Sequence, residues 1–117
     1  MDAFENLEVW KRSSILAINI YHSLQDCRDY GLKDQVIRSA VSISSNIAEG
    51  FERNSNRQFA QYLQIAKGSC GELRSQLYIC RQIGIFTENQ ANRFLTEAAE
   101  ISKMIYGLSK HCRTKES

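Results

Sequence analysis

The sequence holds no proline and only six glycines, so few residues oppose helix anywhere along it. It has two histidines and four cysteines. No cysteine stands in a Cys-x-x-Cys pair or has a histidine at ligand spacing, which argues against a zinc site. Opposite charges nearly cancel: 15 lysines and arginines face 13 aspartates and glutamates, for a formal charge of +2. That surplus is too mild to argue for nucleic-acid binding by itself. No uncharged apolar run reaches the ~18–20 residues that a membrane span needs. The first ten residues, MDAFENLEVW, lack a basic region followed by an apolar run, so they do not read as a secretory signal. These absences set the expectation of a cytoplasmic chain with reduced thiols, no membrane partner, and neither metal nor cofactor.

What remains is ordinary globular material. At 117 residues, with 43% apolar and 24% charged side chains, the chain suits one domain that buries a core without staples. Its apolar residues recur at helical spacing. A first helix is expected over about 7–27. Leu7, Trp10, Ser14, Ala17, Tyr21 and Leu24 form one row, and Val9, Leu16 and Ile20 form a second. Two rows make a wider face than one partner helix requires. Asn6 is the expected N-cap, and Glu8 with Arg12 an i,i+4 pair on the wet side. Gly31 is expected to end this pattern, with Asp34 early in the next helix.

The second helix is expected over about 32–49. Leu32, Val36, Ala40, Ile43 and Ile47 form its main row, with Ile37, Val41 and Ala48 beside it. A stripe of Ser39, Ser42, Asn46 and Glu49 runs between, which reads first as a close-packing or back-bonded surface. Gly50 is expected to stop this helix. Ser55 and Gln58 then form a capping box before an apolar run. The third helix follows over about 55–83, its seam running through Phe59, Leu63, Ala66, Cys70, Leu73, Leu77 and Cys80. Tyr62, Ile65, Ser69 and Ile79 add a second face. Gly68 and Gly71 inside this helix cost about 1 kcal/mol each against alanine, and close approach of another helix is the expected reason. Gly84 stops it, and Thr87 with Gln90 makes a second capping box. The fourth helix, about 87–112, carries Ala91, Phe94, Ala98, Ile101, Ile105, Leu108 and Cys112 on one seam. Four long helices with short links predict an all-α, antiparallel up-down-up-down four-helix bundle.

Such a bundle invites several enzyme readings, and spacing argues against each. A di-iron site needs Glu-x-x-His on two helices, but Asn19 precedes His22 and Leu108 precedes His111 at that position. A nuclease that pairs Arg with a His four to six residues later finds no Arg at 16–18 or 105–107. Gly68-Ser69-Cys70-Gly71 lies within a helix, with no strand before it and no lysine in it, so it is no phosphate loop. Nothing orders a Ser-His-Asp set. The expectation is a non-enzyme, with no catalytic residue. Cys70 and Cys80, on the apolar seam, read as small core hydrophobes.

Two charge patterns remain. Lys67, Arg74 and Arg81 recur every seven residues on the third helix, and Lys103 and Lys110 do so on the fourth. They read either as a solvated outer face or as a basic surface for an RNA or DNA backbone, which oligomerisation would multiply. Arg38, Asn46, Glu49 and Glu72 flank apolar rows and are expected to form a hydrogen-bonded or ion-paired cluster that fixes helix register.

FENLEVWKRS near the start and VSISSNIAEGFERNSNRQFAQYLQIAKGSCGEL in the middle resemble the bacterial family of 23S rRNA intervening-sequence proteins. The pattern is Leu7-x-Val9-Trp10, then Ser45-Asn46-Ile47-Ala48-Glu49-Gly50, Arg53, Ser55, Phe59, Leu63, Ile65-Ala66, Gly68-Ser69 and Glu72-Leu73. The family usually has proline shortly before Asn-Ile-Ala-Glu-Gly, where this chain has Ile43-Ser44-Ser45, so a straighter second helix is expected. The resemblance implies an antiparallel four-helix bundle that assembles as a homopentamer, a barrel of bundles. It also implies kinship with the accessory variability proteins of diversity-generating retroelements, which bind nucleic acid and a reverse transcriptase. It brings no catalytic residue.

The first functional expectation is a non-enzymatic oligomeric scaffold that binds RNA or DNA through Lys67, Arg74, Arg81, Lys103 and Lys110. The second is a protein–protein interaction module without nucleic-acid binding. An RNA-processing enzyme is the least supported.

Overall fold

The computed structural model describes residues 3–115. A single 3-10 turn, Phe4–Asn6, precedes four helices: α1 Glu8–Ser23, α2 Tyr30–Glu52, α3 Asn56–Gln82 and α4 Glu88–Thr114. Among the described residues there is no strand. The helices pack α1 on α2, α2 on α3, α3 on α4 and α4 back on α1, while across the two diagonals no Cα atoms come within 8 Å. The body measures 47 × 20 × 20 Å, its long axis close to the ~40 Å of a 27-residue helix.

The seams predicted on α3 and α4 are the core. Leu63, Ala66, Cys70, Leu73, Leu77 and Cys80 are fully buried, as are Ala91, Ala98, Ile101 and Ile105. On α1 the second row wins: Val9, Leu16 and Ile20 are buried, with Ala17 and Leu24, while Tyr21 from the first row stands open. On α2 the main row Val36, Ala40, Ile43 and Ile47 is buried and Val41 beside it is exposed.

Helix ends follow local chemistry, with corrections to the sequence reading. Asn6 does not cap α1. Leu7 occupies that place in an extended conformation with no side-chain cap, and Phe4 closes edge-on against Trp10 at 5.2 Å between ring centroids. The helix stops at Ser23, several residues short of the expected end, in turns that run to Cys27. Gly31 does not break the chain. Asp29 does the capping, its Oδ1 accepting from the Leu32 N–H at 3.2 Å, so Gly31 falls within the first turn of α2.

Gly50 does not stop α2. The helix runs through it to Glu52 and ends where Asn54 takes a left-handed φ of 56°. Ser55 then caps α3, accepting from the Gln58 N–H. At the far end of α3, Gly84 at φ 83° makes a Schellman turn. Its N–H donates to the Arg81 carbonyl, and the Ile85 N–H donates to the Cys80 carbonyl at 2.9 Å. Thr87 and Gln90 form both halves of the capping box that opens α4.

The expected reason for Gly68 and Gly71 is also corrected. A Cβ built on either would meet nothing within 4 Å, so no helix of this chain approaches them. The close approach is at Gly50 instead, where a Cβ would lie 2.5 Å from the Tyr62 Cβ. Absence of a side chain there lets α2 and α3 converge just before their link.

Candidate interaction surfaces

The polar stripe of α2 meets α3. The hydroxyls of Ser42 and Ser69 hydrogen-bond across the helix pair at 2.9 Å, and Ser69 Oγ also donates back to the Ile65 carbonyl. Asn46 Nδ2 donates to the Ser42 carbonyl at 2.8 Å and to Ser42 Oγ at 3.0 Å. Small side chains and internal bonds of this kind let two helices meet over polar atoms without leaving those atoms unpaired. Ser69 is the member that sequence reading left outside the cluster; its place on the second face of the third helix was the available signal.

The four residues expected as one register-fixing cluster are distributed over three places. Asn46 bonds Ser42, as above. Glu49 pairs with Arg53 one turn later at 2.7 Å, and Arg53 Nη2 also donates to the Tyr62 hydroxyl while its guanidinium lies 5.0 Å from that ring's centroid. The Glu49 bond raises the Arg53 pKa above its ordinary value. Arg38 and Glu72 line a polar groove of about 470 Å³ between α2 and α3. Among the described residues no ion pair joins them. Gln76, on the same groove, has a buried Oε1 without a hydrogen-bond partner.

The basic residues lie on α3 and α4. Lys67, Lys103 and Lys110 are exposed, and Arg74 and Arg81 are half-buried. Arg81 is tied down: its Nη1 donates to Asn92 Oδ1 on α4 at 2.7 Å, and it lies 5.1 Å from the Tyr78 ring centroid. No ion pair holds Lys67, Arg74, Lys103 or Lys110 among the described residues.

One interaction had no signal in the sequence. Arg12 does not pair with Glu8 but with Glu97 of α4, through Nη2 at 2.7 Å and Nε at 2.9 Å, and its Nη1 donates to Met104 Sδ at 3.4 Å. This two-pronged bond raises the Arg12 pKa and holds the Glu97 carboxyl below its ordinary range. Residues 85 apart in sequence carry no local pattern by which the pairing could be read. Beside it, Ile15, Leu16, Asn19, Asn92 and Phe94 line an open groove of about 750 Å³ between α1 and α4.

The buried cysteines offer no nucleophile. Cys70, Cys80 and Cys112 are buried. Burial pushes the Cys70 pKa up to about 12 and raises that of Cys80, against a small opposing pull on Cys70 from Arg74 and Lys67. Neither presents a thiolate near neutral pH. Among the described residues no group of three or more His, Cys, Asp or Glu is placed to hold a metal ion, and no helix is long and apolar enough to cross a membrane.

A family model described as 23S rRNA-intervening sequence protein matches residues 5–107. No curated protein matches the chain. Among solved structures, a protein of unknown function from the S23 ribosomal protein family of Bacteroides thetaiotaomicron superposes with a TM-score of 0.81 at 25% identity, over 87% of this chain and 98% of that one.

Proposed function

From the premise that this chain belongs to the 23S rRNA-intervening sequence protein family, we propose that it is a non-enzymatic oligomeric scaffold of the cytoplasm that holds RNA or DNA. Its bundle runs up-down-up-down, an order supported by the three short links and by the return of α4 to α1. One observation carries the assembly. Large apolar side chains stand open on the diagonal pair α1 and α3, Ile15, Ile18 and Tyr21 on α1 and Ile65 and Ile79 on α3 with Ile83 just past its end, each about half exposed. Open apolar faces on opposite sides of a bundle fit a head-to-tail contact, which closes into a ring when the rotation between copies allows it. A pentameric barrel is such a ring.

Nucleic acid is held by the basic faces of α3 and α4, Lys67, Arg74 and Arg81 with Lys103 and Lys110. A net charge of +2 per chain is weak alone, and assembly repeats it around the ring. The second reading, a protein–protein module without nucleic acid, is favoured by the same open apolar side chains and by that near-neutral charge.

The test is light-scattering mass with an RNA titration on the same sample at two salt concentrations. The scaffold reading expects an oligomer whose binding weakens steeply with salt. Binding should be lost when Lys67, Arg74 and Arg81 are changed to Glu. An oligomer that binds no RNA or DNA leaves the protein module standing, and a monomer removes the scaffold.

A further inference from the structure

Two stripes on the surface match in spacing and in charge. On α1, Lys11 and Ile18 are seven residues apart, and both are exposed. On α3, Glu72 sits seven residues from Ile65 and seven from Ile79, and all three are exposed. Seven residues span about 10.5 Å of helix and bring side chains back to nearly the same face. Among the described residues neither Lys11 nor Glu72 has an ion-pair partner. Gly68, one turn from Ile65 toward Glu72, weakens its helix yet meets nothing of its own chain. It leaves a low place beside the α3 stripe.

The two stripes cannot meet within one molecule, because α1 and α3 are diagonal, with no Cα atoms within 8 Å of each other, and both stripes face outward. We infer that a second copy of this chain lays its α1 along the α2–α3 face, with Lys11 against Glu72 and Ile18 against an isoleucine of α3. The inference rests on the oligomeric reading above and names its interface. The register holds for either direction of the incoming helix: with Lys11 on Glu72, Ile18 reaches Ile79 in one direction and Ile65 in the other. In the direction that sets Ile18 on Ile65, Glu8, one turn before Lys11, comes to Arg38, which lines the same groove as Glu72. The low surface at Gly68 lets the α1 backbone come close. Since each molecule offers its α1 stripe on one side and its α3 stripe on the other, the contact is head-to-tail.

Charge reversal tests this contact. Lys11→Glu and Glu72→Lys change exposed side chains without intrachain ion pairs, so each variant should keep its helical circular dichroism and melting temperature as a chain. Each alone should weaken assembly by about tenfold or more, read by light scattering across a dilution series, and the two together should restore most of it. An oligomeric wild type whose mass neither single change disturbs, or whose loss the pair does not repair, overturns the interface and leaves the oligomeric reading intact. A monomeric wild type overturns both. Ile18→Ser gives an independent apolar readout, and an assembly indifferent to it also sinks the contact.

Discussion

Arg12 grips Glu97 with two hydrogen bonds, 2.7 and 2.9 Å, and so ties the first helix to the fourth. This is the pair of helices that chain connection does least to hold together, since three links separate them. Glu97→Gln should cost about 1 kcal/mol, the discounted value for a two-pronged pair whose side chains are about one-third exposed. The sign with pH is fixed by the depressed Glu97 pKa. Folded Glu97 keeps its charge to lower pH than it does in the unfolded chain. Its contribution is complete above the ordinary glutamate value of about 4.3 and is lost as pH falls through the lower folded value. Urea unfolding of the wild type and Glu97→Gln should therefore differ at pH 7 and converge once the pH falls below the depressed folded value. A gap of equal size at both would show that the carboxylate charge plays no part.

Gly50→Ala should destabilise the chain although alanine is the better helix former. The gain in propensity is about 1 kcal/mol, but the new Cβ lies 2.5 Å from the Tyr62 Cβ. Forcing α2 and α3 apart costs typically 1–3 kcal/mol at a packed contact. The contrasting change is Gly71→Ala, where nothing lies within 4 Å of the new methyl group. It should raise stability by up to about 1 kcal/mol. Thermal unfolding of the two variants side by side should move the midpoint in opposite directions. A stabilising Gly50→Ala would mean that the helices can separate there at no cost.

These glycines also show what a sequence can convey. Gly50 follows five turns with an apolar row and stands just before Phe51 and the polar run Glu52-Arg53-Asn54, which is the local look of a helix stop. The contact that decides its role is with Tyr62, on the next helix, and no window of sequence contains that geometry. Gly68 and Gly71 look like contact positions because they cost helix stability, yet within this chain they face open space. By contrast, the seams of α3 and α4 were legible at every position but Leu108, which is only half-buried, because a 3–4 spacing sustained over about six turns leaves one main face to bury. On α1 two rows competed, and spacing could not rank them. The polar residues were harder still. Glu97 and Ser69 find partners on other helices, and Arg38 and Glu72 share a groove without joining. Side-chain pairing across helices depends on rotation and tilt, which the residue order does not encode locally.

Ser109 is 1% exposed, and its hydroxyl has no hydrogen-bond partner. A buried hydroxyl without a partner has lost its water and gained nothing in exchange. Ser109→Ala removes the unsatisfied group and keeps nearly the same volume. It should stabilise the chain by about 1 kcal/mol, with little change in the denaturant m-value. Ser42→Ala, which breaks the 2.9 Å bond to Ser69 and one of the Asn46 bonds, should go the other way by a similar amount. If both substitutions lower the urea midpoint, the Ser109 hydroxyl has a use that its surroundings do not reveal.

The cysteines should separate by reactivity in the folded chain. Cys27 lies half-buried in the turn after α1, its thiol only 3.8 Å from the Asp29 carbonyl. Cys70 is fully buried, with a pKa pushed up to about 12 by loss of solvation. Thiolate is the reacting species, so at pH 8 Cys70 is both shielded and protonated. An aromatic disulfide reagent should therefore modify Cys27 rapidly and Cys70 only through the transiently opened chain. The order can be read by mass spectrometry of peptides after timed quenching. Adding urea below the unfolding midpoint should speed Cys70 modification in proportion to the population of open chain, leaving the Cys27 rate nearly unchanged. Equal rates for the two thiols would mean that the centre of α3 opens on the reagent's time scale and that the core seam is not the stable part of the bundle.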